Sequence, residues 1–162
     1  MKIIKEKEHH YKTKVVWTGN LGKGTENYNA YSRNHIVVIE NKVNVECSSD
    51  PSFLGDKTKH NPEELLVSAI SSCHMLWFLH LCSENRILVK EYSDEAIGKM
   101  IENQAIGGKF VEVILYPKVI ISKNSNVEKA NALHSEANRL CFIANSCNFP
   151  IKHIPTCISA EE

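Results

Sequence analysis

The stretch "HNPEELLVSAISSCHMLWFLHLC" (residues 60–82) opens as a helix start and then turns almost wholly apolar. Asn61 suits an N-cap, Pro62 the first helical position, and Glu63 and Glu64 put negative charge at the positive end of the helix dipole. Glu64 can also complete a capping box. The spacing predicts a helix over about 62–85. Apolar residues fall on nearly all its sides, which predicts a central helix rather than a surface one. Ser68, Ser71 and Ser72 form a narrow stripe of small residues that lets another helix come close. The run approaches the length of a membrane span, but Ser68, Ser71, Ser72, His74 and His80 interrupt it, so it reads as the buried helix of a soluble protein.

The rest of the chain bounds what surrounds this helix. Its 162 residues suffice for one domain, expected over 1–162, with a core of its own. Lys plus Arg and Asp plus Glu are both 19, so the net charge is zero. That balance argues against nucleic acid or a membrane surface as partner. The N-terminal stretch MKIIKEKEHHYKTK is charged throughout and has no apolar run of signal-peptide type, so a cytoplasmic protein is expected. In a reducing cytosol six cysteines are not a disulfide framework by default, and no CxxC occurs among them.

The first third reads as β, an N-terminal region over about 13–48. VVWTG (15–19) precedes a Gly-rich loop, and HIVVIENKVNVEC (35–47) reads as a hairpin turning at Asn41-Lys42. The loop GNLGKGT lacks the spacing of a phosphate-binding loop and no helix pattern follows it, so it reads as a turn. After the central helix, 87–101 and 110–122 form two long strand candidates, a hairpin over about 87–122 around the turn NQAIGGK. Ser125-Asn126-Val127-Glu128 suggests a capping box opening a second helix over about 126–145, with Val127, Ala130, Leu133, Ala137, Cys141 and Ala144 near helical spacing. IKHIPTCIS (151–159) suggests one last short strand, Pro155 favouring an edge. Antiparallel sheets around two central helices make the expected class α+β.

Cys73 shares a helix face with Leu66, Ile70 and Trp77, and its position alone favours a packing role. Cys141 repeats the situation on the second helix, so the two sulfurs could meet where the helices cross. Metal binding is disfavoured: His74 adjoins Cys73, and His80 and Cys82 are two apart, spacings that point ligands away from each other on a helix. A nucleophilic thiol needs a nearby cation and an acid to orient that cation. Glu63 is a candidate acid, but ten residues of helix put it about 15 Å from Cys73 along the axis. Either an Arg spans that gap or Glu63 of a second subunit completes the site, and the Ser stripe favours the dimer.

"NPEELLVSAISSC" (61–73) resembles the helix signature of the OsmC/Ohr family of thiol-dependent peroxidases, in which the reactive Cys follows the first Glu by ten residues. "HSEANRLCFIANS" (134–146) resembles the second motif of that family, and WTGNLGKGT, YSR and SSDPSFLGD fit the N-terminal β region of an OsmC-like branch. The likeness runs from about Trp17 to Pro150. It implies an intertwined homodimer with two active sites at the subunit interface. It assigns Cys73 as peroxidatic cysteine, Cys141 as resolving cysteine and Glu63 as the acid orienting an Arg. The implied activity is reduction of organic hydroperoxides to alcohols through a Cys73 sulfenic acid and a Cys73–Cys141 disulfide. No bound cofactor is implied; an external dithiol, lipoyl-bearing in this family, recycles the disulfide. Apolar Met75, Trp77 and Phe78 would favour fatty or aromatic hydroperoxides.

Two positions depart from the family pattern. Phe142 follows the second Cys where many members have Pro, and Leu54 stands in the loop that often carries the Arg. Arg33, the only Arg in the N-terminal β region, is therefore the candidate partner of the thiolate. The competing reading is a non-catalytic OsmC-like protein that binds a hydrophobic small molecule at the dimer interface, with both cysteines as packing. Cys47, Cys82, Cys147 and Cys157 receive no role from the sequence.

Overall fold

Strands rich in β-branched residues build a three-stranded antiparallel sheet first: β1 (Lys14–Trp17), β2 (His35–Val38) and β3 (Val45–Cys47), in that order. The β2–β3 connection turns through Lys42 N–H to Ile39 C=O at 3.1 Å, with Asn41 at φ 61°, a left-handed conformation that Asn tolerates. In the Gly-rich loop the Asn20 side chain accepts the N–H groups of Gly22 and Gly24 at 2.9 and 3.0 Å, so this segment is a turn held by its own Asn. These elements belong to the first of two units into which the chain divides, Met1–Pro62 and Glu63–Glu162. The computed structural model describes residues 6–103, 105 and 107–161. Residues 1–5 of the charged N-terminal stretch, and Gln104 and Ile106 of the expected turn at 103–109, lie outside the described residues.

The second unit is organised on helix α1 (Pro62–Glu84). Its buried residues, Ile70, His74, Phe78 and Cys82, are spaced by four and form one face. Within one chain this face alone is covered, and Leu76 is 62% exposed. The two expected long strands are each broken, giving β4 (Val89–Asp94) and β5 (Ile97–Asn103), then β6 (Gly107–Leu115) and β7 (Pro117–Ile121). Asp94 marks the break: its carboxylate accepts the Tyr116 N–H at 2.7 Å and the Ser71 hydroxyl of α1 at 2.5 Å. The hairpin thereby contributes to two sheets, β4 and β7 pairing in one and β5 and β6 in the other.

The second helix also differs from expectation. It is α2 (Val127–Leu140), then a break at Cys141, then the short α3 (Phe142–Asn145). Its cap is Asn126, whose side chain accepts the Lys129 N–H at 2.6 Å, while Ser125 instead pairs with Ser122 and receives the Leu88 N–H. The capping box read at Ser125 therefore does not form. Two final strands replace the single one expected, β8 (Ile151–His153) and β9 (Thr156–Ser159), with Pro155 between them. Each lies parallel at a sheet edge, β8 on β6 and β9 on β7, which the helical crossover permits. The fold is α+β with mixed rather than purely antiparallel sheets. One core joins Phe78, Cys82, Val119, Ile121, Ala130, Ala137 and Cys157; a second joins Ile70, Val113 and Leu115.

Candidate functional site

Cys73 lies in the middle of α1, half-buried, whereas Cys141 is fully buried. Cys141 is not in a helix interior. Its backbone is extended (φ −65°, ψ 112°), it ends α2, and its sulfur accepts the Ala144 N–H at 3.4 Å as the cap of α3. A thiol here does the work of a Ser hydroxyl at a cap, which the apolar spacing of residues 127–144 conceals.

The two thiols, 68 residues apart in sequence, lie close enough that Cys73 is among the groups shifting the Cys141 thiol. Burial pushes the Cys141 thiol up to about 11, and the neighbouring Cys73 pushes it the same way. Trp77, one turn after Cys73, meets Phe142 edge-on at 5.4 Å, and Phe142 is 67% exposed. Leu76, Trp77 and His80 line a shallow apolar pocket of about 270 Å³ on the same helix.

Glu63 occupies the first turn of α1, half-buried. The helix is continuous from Glu63 to Cys73, so one chain does not bring these two side chains together. Arg33 belongs to the first unit. Its guanidinium donates to the carbonyls of Tyr31 and Tyr28, both at 2.6 Å, and lies 4.1 and 4.4 Å from the ring centres of Tyr28 and Tyr31. Leu54 ends a 3₁₀ turn (Pro51–Phe53) at φ 60° and is half exposed.

A histidine cluster lies inside the second unit. His74, the residue after Cys73, is fully buried, as is His134 on α2, and His74 Nε2 lies 3.0 Å from His134 Nδ1. His134 Nε2 lies 3.7 Å from the Cys157 sulfur, and Phe78 stacks on the His134 ring at 3.9 Å. Burial drives both imidazoles down, His74 to about 4 and His134 to about 3, so both are neutral. The sequence does not indicate the pairing of these two rings across 60 residues. The one available signal was that each replaces an aliphatic residue on the apolar face of its helix. Among the described residues, no group of three or more His, Cys, Asp or Glu is arranged to hold a metal ion.

No curated protein matches the chain. Solved structures do. An OsmC-like protein of unknown function from Vibrio cholerae, VCA0330, is 29% identical with a TM-score of 0.83, over 92% of this chain and all of that one. An organic hydroperoxide resistance protein from Elizabethkingia anophelis, with crystallant-derived thiocyanate bound, is 19% identical with a TM-score of 0.66, over 95% of this chain and all of that one. The organic hydroperoxide resistance protein OsmC from Legionella pneumophila is 17% identical with a TM-score of 0.65, over 93% and 98%. The family model described as "OsmC-like protein" matches residues 55–154, which include all of α1, α2 and both thiols. The chain belongs to the OsmC-like protein family.

Proposed function

We propose that this chain is a thiol-dependent peroxidase reducing organic hydroperoxides to alcohols, with Cys73 as the attacking thiol and Cys141 as the resolving one. The observation that carries this reading is the closeness of the partly exposed Cys73 to the buried Cys141. Of the two sulfurs, Cys73 is the one on a residue that solvent reaches.

In this reading the Cys73 thiolate attacks the O–O bond. A sulfur–oxygen bond forms, the O–O bond breaks, and the departing alkoxide takes a proton and leaves as the alcohol. Cys73 is then a sulfenic acid. Cys141 attacks its sulfur, the S–S bond forms, and the hydroxyl leaves as water with the Cys141 proton. An external dithiol, of the lipoyl class, reduces the disulfide and is itself oxidised to a cyclic disulfide. Arg33 supplies the cation that favours the thiolate, and Glu63 orients it.

Because α1 separates Glu63 from Cys73 within one chain, the proposal includes a homodimer with Glu63 contributed by the second copy. The exposed Leu76 and Phe142, and the exposed small residues Ser68, Ala69 and Ser72 on α1, support a covered face. A cytosolic setting belongs to the same proposal, since all six cysteines are free thiols.

The test is consumption of cumene hydroperoxide by the purified protein with dihydrolipoamide as reductant. Catalytic loss of peroxide, matched by dithiol oxidation, is expected. No consumption, with all thiols still free, is the outcome expected of a non-catalytic member binding an apolar molecule against Leu76, Trp77 and His80.

A further inference from the structure

We infer that the His74–His134 hydrogen bond is a positioning tie that sets how closely Cys73 and Cys141 approach. The inference rests on reading those two thiols as the reacting pair. Cys73 and His74 are neighbours on α1, while His134 lies on α2, whose last residue precedes Cys141. The bond therefore joins the two elements that carry the sulfurs. It is buried on both sides, and its 3.0 Å length allows little play. Ring stacking of Phe78 on His134 at 3.9 Å, and a tilted contact of His74 with His153 at 5.6 Å between centroids, hold the rings.

The proton arrangement follows from what surrounds the chain of rings. Among the described residues, His74 Nδ1 is buried with no hydrogen-bond partner. A bare acceptor there is less costly than an orphaned N–H, since buried unpaired N–H groups are the rarer of the two. His74 accordingly carries its proton on Nε2 and donates to His134 Nδ1. His134 then carries its proton on Nε2, directed at the Cys157 sulfur 3.7 Å away. Cys157 thereby fixes the tautomer of His134, and through it the direction of the tie.

This geometry yields a pattern of substitutions that general loss of packing does not produce. An Asn amide reaches where Nδ1 of a histidine lies, and a Gln amide reaches where Nε2 lies. His134→Asn therefore keeps the bond to His74 and His134→Gln loses it. At position 74 the order inverts: His74→Gln keeps the bond and His74→Asn loses it.

The readout is the rate of Cys73–Cys141 disulfide formation driven by diamide, followed by peptide mass mapping. Diamide accepts two electrons and two protons from the thiol pair and becomes the hydrazine, so no peroxidase activity is needed. His134→Asn and His74→Gln are expected within about threefold of the parent rate. His134→Gln and His74→Asn are expected at least about tenfold slower, the scale that a sub-ångström to 1 Å displacement of reacting atoms produces. Equal rates for all four, or an order set by amide type rather than by position, overturns the inference. So does failure of all four to fold, which would assign the rings a role in bulk rather than in bonding. If the parent ignores cumene hydroperoxide while the diamide pattern holds, only the peroxidase reading fails.

Discussion

Two thiol sites in the same unit differ in the property that matters for chemistry. Cys157 has an imidazole at 3.7 Å, itself held by a second imidazole, an arrangement that could serve a nucleophile. Yet burial raises Cys157 to about 11 and the nearby Cys82 to about 12, and both are closed off from solvent. Cys73 has a thiol for a neighbour instead of a base, but it is partly exposed. The contrast teaches that access and a second thiol within reach, rather than a nearby histidine, mark the sulfur proposed to react.

The largest test of that contrast exchanges one thiol at a time. Cys73→Ser should lower peroxide consumption by about 10³-fold or more, as removal of an attacking group does. Cys157→Ser should leave it within about threefold. Equal losses in the two variants would erase the distinction between the sites.

Acid titration sharpens the same comparison from the histidine side. Both rings stay neutral in the folded protein, whereas an unfolded chain protonates them below about 6.5. Stability is thus flat above about pH 6.5 and falls as pH drops toward about 4 for His74 and about 3 for His134. The slope expected is about 1.4 kcal/mol per pH unit for each histidine, read from urea midpoints. On the alkaline side the raised thiols of Cys141 and Cys157 reverse the sign, and stability falls as pH rises from 9 through about 11. A His74→Gln, His134→Asn double variant should lose the share of the acid limb that these two rings supply and keep the alkaline one.

The smallest effect concerns the proposed acid. Glu63→Gln should slow peroxide reduction about tenfold, the order of a lost charge-assisted hydrogen bond, with little change in folding. Full activity in that variant would remove Glu63, and with it the argument for a second copy at the site.

Much of the fold was legible because local chemistry dictated it. Asn61-Pro62-Glu63-Glu64 starts α1 where expected, and Asn41 turns the β2–β3 hairpin. That Cys73 and Cys141 could meet was legible from their like places on two central helices and from the paired motifs, although no spacing rule links residues so far apart. Three features were hidden for physical reasons. Asp94 bends the long hairpin by capturing a backbone N–H and a helix hydroxyl, contacts invisible to strand periodicity. Cys141 caps α3 with sulfur, yet in an apolar count it passes for a helix-interior residue. The His74–His134 pair depends on two helices packing in one register, which neither helix encodes alone.

Non-reducing peptide mapping after one equivalent of cumene hydroperoxide tests the central claim most directly. The account predicts a single new cross-link between the peptides holding Cys73 and Cys141, absent from Cys73→Ser, with Cys82 and Cys157 still free. A Cys82–Cys157 cross-link in its place, or peroxide consumed with Cys73 and Cys141 both left as thiols, would contradict it.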